Sequence, residues 1–252
     1  MTIFGHRIPM MASLLLWALV WEVVGRLGLV LLFPPFSEVV AALFTVVPTS
    51  TFLDAAVITV VSFVLGMALA IAVGVPLGAL MGRFTAVDQF AGMWVNLFVS
   101  APLSALVPVI MLLFGMGTTT VVVTVFLFAV WIIALDTRAG IRHVPPSLLE
   151  MAHSFGATRW QTASRILLLA ALPEILAGIR VGLIRGVKGV VVGQLLVSII
   201  GFGALFELYS RNFLMAEFWA LTLVLFAFAL ILSGLVSRLE HRIAYYAGVR
   251  QS

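Results

Sequence analysis

The sequence predicts an all-α polytopic membrane protein with six transmembrane helices, and three observations carry that expectation. Of its 252 residues 63% are hydrophobic and only 10% charged, and the mean hydropathy is +1.23, far from a water-soluble domain. The apolar residues form continuous runs of helix-spanning length, where a transmembrane barrel would alternate apolar and polar residues. The arginines gather in the polar stretches between those runs, the signature of loops on the cytoplasmic side.

Composition also narrows the chemistry. The formal net charge is +4, but there is no basic block with interleaved aromatics, so nucleic acid is not expected as a partner. With no cysteine, disulfides, thiolate catalysis and cysteine-held metals are absent. The four histidines, His6, His143, His153 and His241, lack metal-ligand spacing. No Gly-x-x-x-x-Gly-Lys-Ser/Thr phosphate loop is present, so the chain is not expected to hydrolyse ATP itself. No catalytic residue is assigned.

The first span runs from Met10 to about Phe33. It is too long for a signal-peptide core, it contains Glu22 and Arg26, and it ends at Pro34-Pro35 without a small-residue cleavage site. Glu22 and Arg26 are four apart and share a helix face. Phe36 to Val47, with Ser37 as a possible cap, is too short to cross and reads as a surface helix. The second span rises from Asp54 to about Arg83, with Gly74, Gly78 and Gly82 every fourth residue. That repeat makes a smooth strip for close helix packing, and Pro76 is a potential kink.

Arg83 to Asp88 reads as a short polar turn, followed by a third span from about Gln89 to Phe114. Asn96, Ser100 and Ser104 recur every fourth residue on one face of it. A polar stripe of this kind serves either as helix-to-helix hydrogen bonding or as contact for a solute in a wet path. Gly115 to Thr118 turns the chain, and Thr119 to Ala139 forms a fourth span leading to Asp136, Arg138 and Arg142.

Between the fourth and fifth spans lies the longest polar interruption, Pro145 to Pro173. Its charges exclude it from hydrocarbon. Pro145 and Pro146 stop the preceding helix, Ser147 is a possible N-cap with Glu150 three residues on, and Leu148, Leu149, Met151, Ala152 and Phe155 give a short helix an apolar face. Gly156 breaks it, and Thr158 can cap a second helix from Arg159.

The fifth span runs from Pro173, a residue suited to a first helical turn, to about Val197. It carries Arg180, Arg185 and Lys188. Arg185 and Lys188 lie roughly 18 and 22 Å along the helix from Pro173 at about 1.5 Å per residue. Cations at such depth either line a path or are structural, snorkelling to the interface or pairing with Glu174 and Asp136. Gly201-Phe202-Gly203 opens a short amphipathic piece to Phe213. A sixth span covers about Met215 to Val236, and the tail holds Arg238, Arg242 and Arg250. Six spans with the central loop inside place both termini in the cytoplasm.

The order Glu150-Met151-Ala152, Gly156, Ala157-Thr158-Arg159-Trp160-Gln161 and Ala170-Ala171-Leu172-Pro173 resembles the Glu-Ala-Ala loop of permease subunits of binding-protein-dependent ABC importers. It is similar in particular to the nitrate, sulfonate and taurine branch. Met151 departs from that wording in place of an alanine, and Leu169 in place of a proline, so the helix is expected to run unbroken to Pro173.

The resemblance implies a single permease domain over residues 1–252 with the type I (MetI-like) fold, and a coupling loop at about 143–166. Glu150, Met151, Ala152, Phe155, Gly156, Ala157, Arg159 and Trp160 would then meet the ATPase. It further implies a bacterial inner-membrane complex of a second permease copy, two cytoplasmic ABC ATPase subunits that bring ATP and Mg, and an external substrate-binding protein. Path candidates are Asn96, Ser100, Ser104, Arg185, Lys188 and Gln194, the last standing where many relatives have a glutamate. The cations tilt the expected solute toward a small anion. The rival expectation is a secondary transporter or channel that needs no ATPase, for which the chain lacks the two repeated halves.

Overall fold

In a computed structural model of the chain, residues 2–3, 6–7, 10–28, 32–197 and 199–246 are described. The helices are α1 (Met10–Arg26), α2 (Phe36–Val46), α3 (Ser50–Arg83), α4 (Thr85–Ser100), α5 (Val107–Phe114), α6 (Thr118–His143), α7 (Pro146–Ser154), α8 (Arg159–Gln161), α9 (Leu168–Ala170), α10 (Leu172–Val197), α11 (Gly201–Arg211) and α12 (Met215–Tyr246). Leu103–Leu106 is a 3₁₀ turn and Thr162–Leu167 a π-helical one. Among the described residues, the exception to an all-α fold is a pair of two-residue strands, Thr2–Ile3 and His6–Arg7. Of the expected tail cations, Arg250 lies outside the described residues.

The bundle is built around α6. Its neighbour α3 carries glycines that let the two backbones approach: a Cβ at Gly74 would stand 3.0 Å from Ile133, and one at Gly78 or Gly82 would stand 2.7 Å from Thr137 or 2.6 Å from Ile141. Gly66 meets Val125 in the same way. Each glycine faces the residue 59 positions further along, so α3 and α6 run parallel in constant register. On the opposite flank α10 repeats the device in the reverse direction, with Gly178, Gly182 and Gly193 against Asp136, Ile133 and Thr124. Small residues on both sides thus hold α6 by close van der Waals packing, the force that associates helices in lipid. Phe63, Met67, Val125, Val130, Ile133 and Val190 fill the seam between the three helices.

Among the described residues, α3 and α6 are long and apolar enough to cross a membrane. At about 1.5 Å per residue the 34 residues of α3 reach roughly 51 Å. Two further crossings arise if each bent pair counts as one: Thr85–Ser100 with Leu103–Phe114, and Arg159–Ala170 with Leu172–Val197. Six crossings require both of these, plus the 17-residue α1 and the 32-residue α12.

Several local expectations are corrected. The third span is not one helix: it breaks at Ala101-Pro102 and turns by 96°. Pro102 has no N–H to give the helix, and it drives Ala101 to an extended ψ of 146°. The Arg83–Asp88 turn shrinks to Phe84 alone, because Thr85 already begins α4. Ser37 does not cap α2, whose N-cap is Pro35. Instead its backbone N–H and hydroxyl both donate to the Glu22 carboxylate, at 2.8 and 2.9 Å, while Arg26 pairs with the same group at 2.6 Å. Trp21, Phe33, Phe36 and Trp219 stack beside this cluster and fasten α1 to α2 and α12.

Candidate functional site

The segment from Val144 to Ala171 folds as a seated hairpin. Pro146, not a residue after Ser147, opens α7: Pro145 is the N-cap, and Pro146 sits where its missing N–H costs nothing. The expected Ser147 cap is therefore absent, and no side chain caps this helix. Leu148 and Leu149 pack onto Ile141, Val144, Leu167, Ala171 and Ile175, the apolar cluster joining the ends of α6 and α10. Ala152 is buried.

The turn that follows leaves few backbone groups unmet. Gly156 takes φ +73°, a conformation costly for residues with a Cβ. Its N–H donates to His153 O at 3.0 Å, and the Ala157 N–H donates to Ala152 O at 2.9 Å, the paired bonds that close a helix end over a left-handed glycine. Thr158 then caps α8 as expected. Its N–H donates to Gln161 Oε1 at 2.8 Å, and its hydroxyl accepts from the Gln161 N–H at 3.3 Å, a reciprocal capping box.

On the face turned away from the bundle this rigid turn presents Met151, Phe155 and Trp160, with Phe155 85% and Trp160 78% exposed. Glu150 and Arg159 are exposed around them. Three large apolar side chains are thus held out by a polar, well-bonded hairpin, the kind of exposed apolar surface that interaction sites offer.

Beyond Trp160 the chain winds as a π-helix through Thr162–Leu167, where the Ser164 hydroxyl donates to Trp160 O at 2.7 Å. The helix does not run unbroken to Pro173. It stops at Ala170 and turns by 63° into α10, with Pro173 in the first turn of the new helix.

At the same end of the bundle, Asp88 in the first turn of α4 meets two arginines of α6. Arg138 approaches it with Nε at 2.6 Å and Nη2 at 2.7 Å, and Arg142 with Nη2 at 2.6 Å. The Asp88 side chain is only 12% exposed. Local spacing carries no signal for this cluster, because its members lie 50 and 54 positions apart.

The expected path residues separate into two groups. Arg185 is half-buried and Lys188 exposed, on a face of α10 shared with exposed Val181 and Ile184. Asp136 on α6 lies within electrostatic reach of Arg185. Asn96 and Ser100 are exposed on α4, but the break before Leu103 takes Ser104 off their face, so the three do not form one stripe.

Gln194 does not reach the open face. It is 2% exposed and turned toward α3, where its Nε2 donates to the Thr59 hydroxyl at 3.0 Å. That hydroxyl donates in turn to Ala55 O at 2.7 Å and accepts from the Phe202 N–H at 3.4 Å. The residues form a buried polar knot between α3, α10 and α11.

The chain is similar to several known proteins. A family model described as binding-protein-dependent transport system inner membrane component matches residues 74–245. The taurine transport system permease protein TauC of Escherichia coli is 28% identical, over 87% of this chain and 84% of that protein. The carnitine transport permease protein OpuCD of Listeria monocytogenes is 32% identical over 58% of this chain and 64% of its own length. The riboflavin transport system permease protein RibX of Chloroflexus aurantiacus is 34% identical over 55% and 54%. Among solved structures, the inward-facing MetNI methionine ABC transporter contains a chain that matches with a TM-score of 0.63 at 20% identity. That match covers 77% of this chain and 94% of the other.

Proposed function

The chain belongs to the binding-protein-dependent transport system inner membrane component family, and from that premise we propose that its hairpin docks on cytoplasmic ABC ATPase subunits to drive import of a small anionic solute. As a member it is a membrane-embedded, non-catalytic permease subunit of an ABC importer, with the MetI-like fold. The observation that carries the docking reading is the exposed trio Met151, Phe155 and Trp160 on a hairpin seated by Leu148, Leu149 and Ala152. Glu150, Gly156, Ala157 and Arg159 complete that surface, Gly156 by fixing the turn.

Two permease copies would enclose the path, two ATPases would bring ATP and Mg, and an external binding protein would deliver the solute. The hairpin end would then be cytoplasmic, together with both termini. Arg185 and Lys188 support a negatively charged solute because they stand on an open face of α10 inside the span. Asn96 and Ser100 would offer it hydrogen bonds from α4. The taurine permease among the relatives is consistent with an anionic group.

Covering Phe155 contributes about 1.5–3 kcal/mol. Phe155→Ala is therefore expected to weaken association with the ATPase by about 10- to 100-fold, read as co-purification and binding of the purified ATPase to the permease in nanodiscs. Gly156→Leu should act in the same direction by forcing the turn out of φ +73°. Undiminished ATPase binding by both variants would remove the docking reading.

A further inference from the structure

Asp88 stands at a junction that the docking reading leaves without a role. It lies in the first turn of α4, and a single residue, Phe84, separates α4 from the end of α3. Its two partners, Arg138 and Arg142, are one turn apart near the end of α6, and α7 begins four residues after Arg142. One carboxylate therefore ties the start of α4 to the last turns of the helix that leads into the hairpin.

The rest of α4 is loosely held. Only Gly92 and Val95 of its residues are buried, Gly92 beside Met81 of α3, and the Phe98 ring stacks on Trp131 of α6 at 4.5 Å. α3 and α10, by contrast, are locked to α6 along their length by glycine contacts. Hydrogen-bonded ion pairs with a carboxylate this well shielded from water are worth more than surface pairs. Removing the carboxylate would also leave Arg138, 25% exposed, beside Arg142 with no counter-charge.

We infer that Asp88, with Arg138 and Arg142, is the linkage through which movement of the hairpin is passed to α4, the helix carrying Asn96 and Ser100. Asp88 is a positioning residue in this scheme and touches neither nucleotide nor solute. When the ATPases draw the hairpin, the end of α6 moves with it, and the triad obliges the start of α4 to follow. Without the triad, what holds that end of α4 is its covalent join to α3 and the packing of Gly92 beside Met81, neither of which ties it to α6.

The inference rests on the hairpin being the ATPase-contacting element, and the experiment separates the two. The chain has no native cysteine, so spin labels can be placed singly at Ser154→Cys on the hairpin and at Met93→Cys, which is 64% exposed on α4. In the complex with its ATPases, distances between the labels of the two copies are measured with and without ATP plus vanadate. Both labels are expected to shift in the parent. In Asp88→Asn the hairpin shift should persist while the α4 shift falls at least about threefold, and Asp88→Glu should restore it. Arg138→Gln serves in the same way where Asp88→Asn fails to assemble. An α4 shift of full size in both neutralised variants would overturn the linkage. A silent hairpin label in the parent would overturn the docking reading, and the linkage with it.

Discussion

Thr59 shows how much one hydroxyl can hold in place. It donates to Ala55 O and accepts from Gln194 and from the Phe202 N–H, so it joins three helices away from water. Thr59→Val keeps the shape and leaves two buried donors unmet, a loss of about 1–3 kcal/mol each. The detergent-solubilised variant should melt at a lower temperature than the parent by differential scanning fluorimetry, and an unchanged melting temperature would contradict the knot. The cations make the opposite kind of prediction. Arg185→Gln with Lys188→Gln should lower uptake of radiolabelled ethanesulfonate, a small anion used as the probe, by tenfold or more in proteoliposomes carrying the complete importer. In the sequence, Gln194 and Lys188 are both polar residues in an apolar run, and position alone does not tell them apart. Only the partner decides, and for Gln194 it lies 135 residues away.

At the level of the helix, spacing was informative wherever one element acts alone. The four-residue repeat of Gly74, Gly78 and Gly82 announced a packing strip, and Gly156 and Thr158 announced a turn and a cap. Gly66 belongs to the same strip, but Ala70 fills the intervening step and hid it. Since a Cβ at Gly78 would come within 2.7 Å of Thr137, Gly78→Ala should cost about 1–3 kcal/mol through overpacking. Gly117→Ala has open space around it and an extended φ of 175°, so it should leave the thermal unfolding curve in place. The break at Ala101-Pro102 was less legible because a proline inside a membrane helix can bend it slightly or end it. Here an extended residue before Pro102 and a 3₁₀ turn after it turn the chain through 96°.

Across the whole molecule, the class was plain from hydropathy, and the family from one polar loop of the chain. Contacts between distant elements, such as Asp88 with Arg138 and Arg142, left no trace in local pattern. The proposed orientation is open to a direct check. A membrane-impermeant thiol reagent should modify Ser154→Cys in inside-out vesicles only, and Met116→Cys, 63% exposed at the turn before α6, in right-side-out vesicles only. The parallel seam of α3 and α6 also restricts how the gene can change length. A codon gained or lost between Gly66 and Gly82 would rotate the remaining glycines by about 100° and set bulky side chains against Ile133, Thr137 and Ile141. Insertions and deletions in descendants of this sequence should therefore collect at bends such as Gly115–Gly117, where they alter the numbering offset between the two helices but not the four-residue spacing within α3 or α6, which is the part of the chain least free to drift.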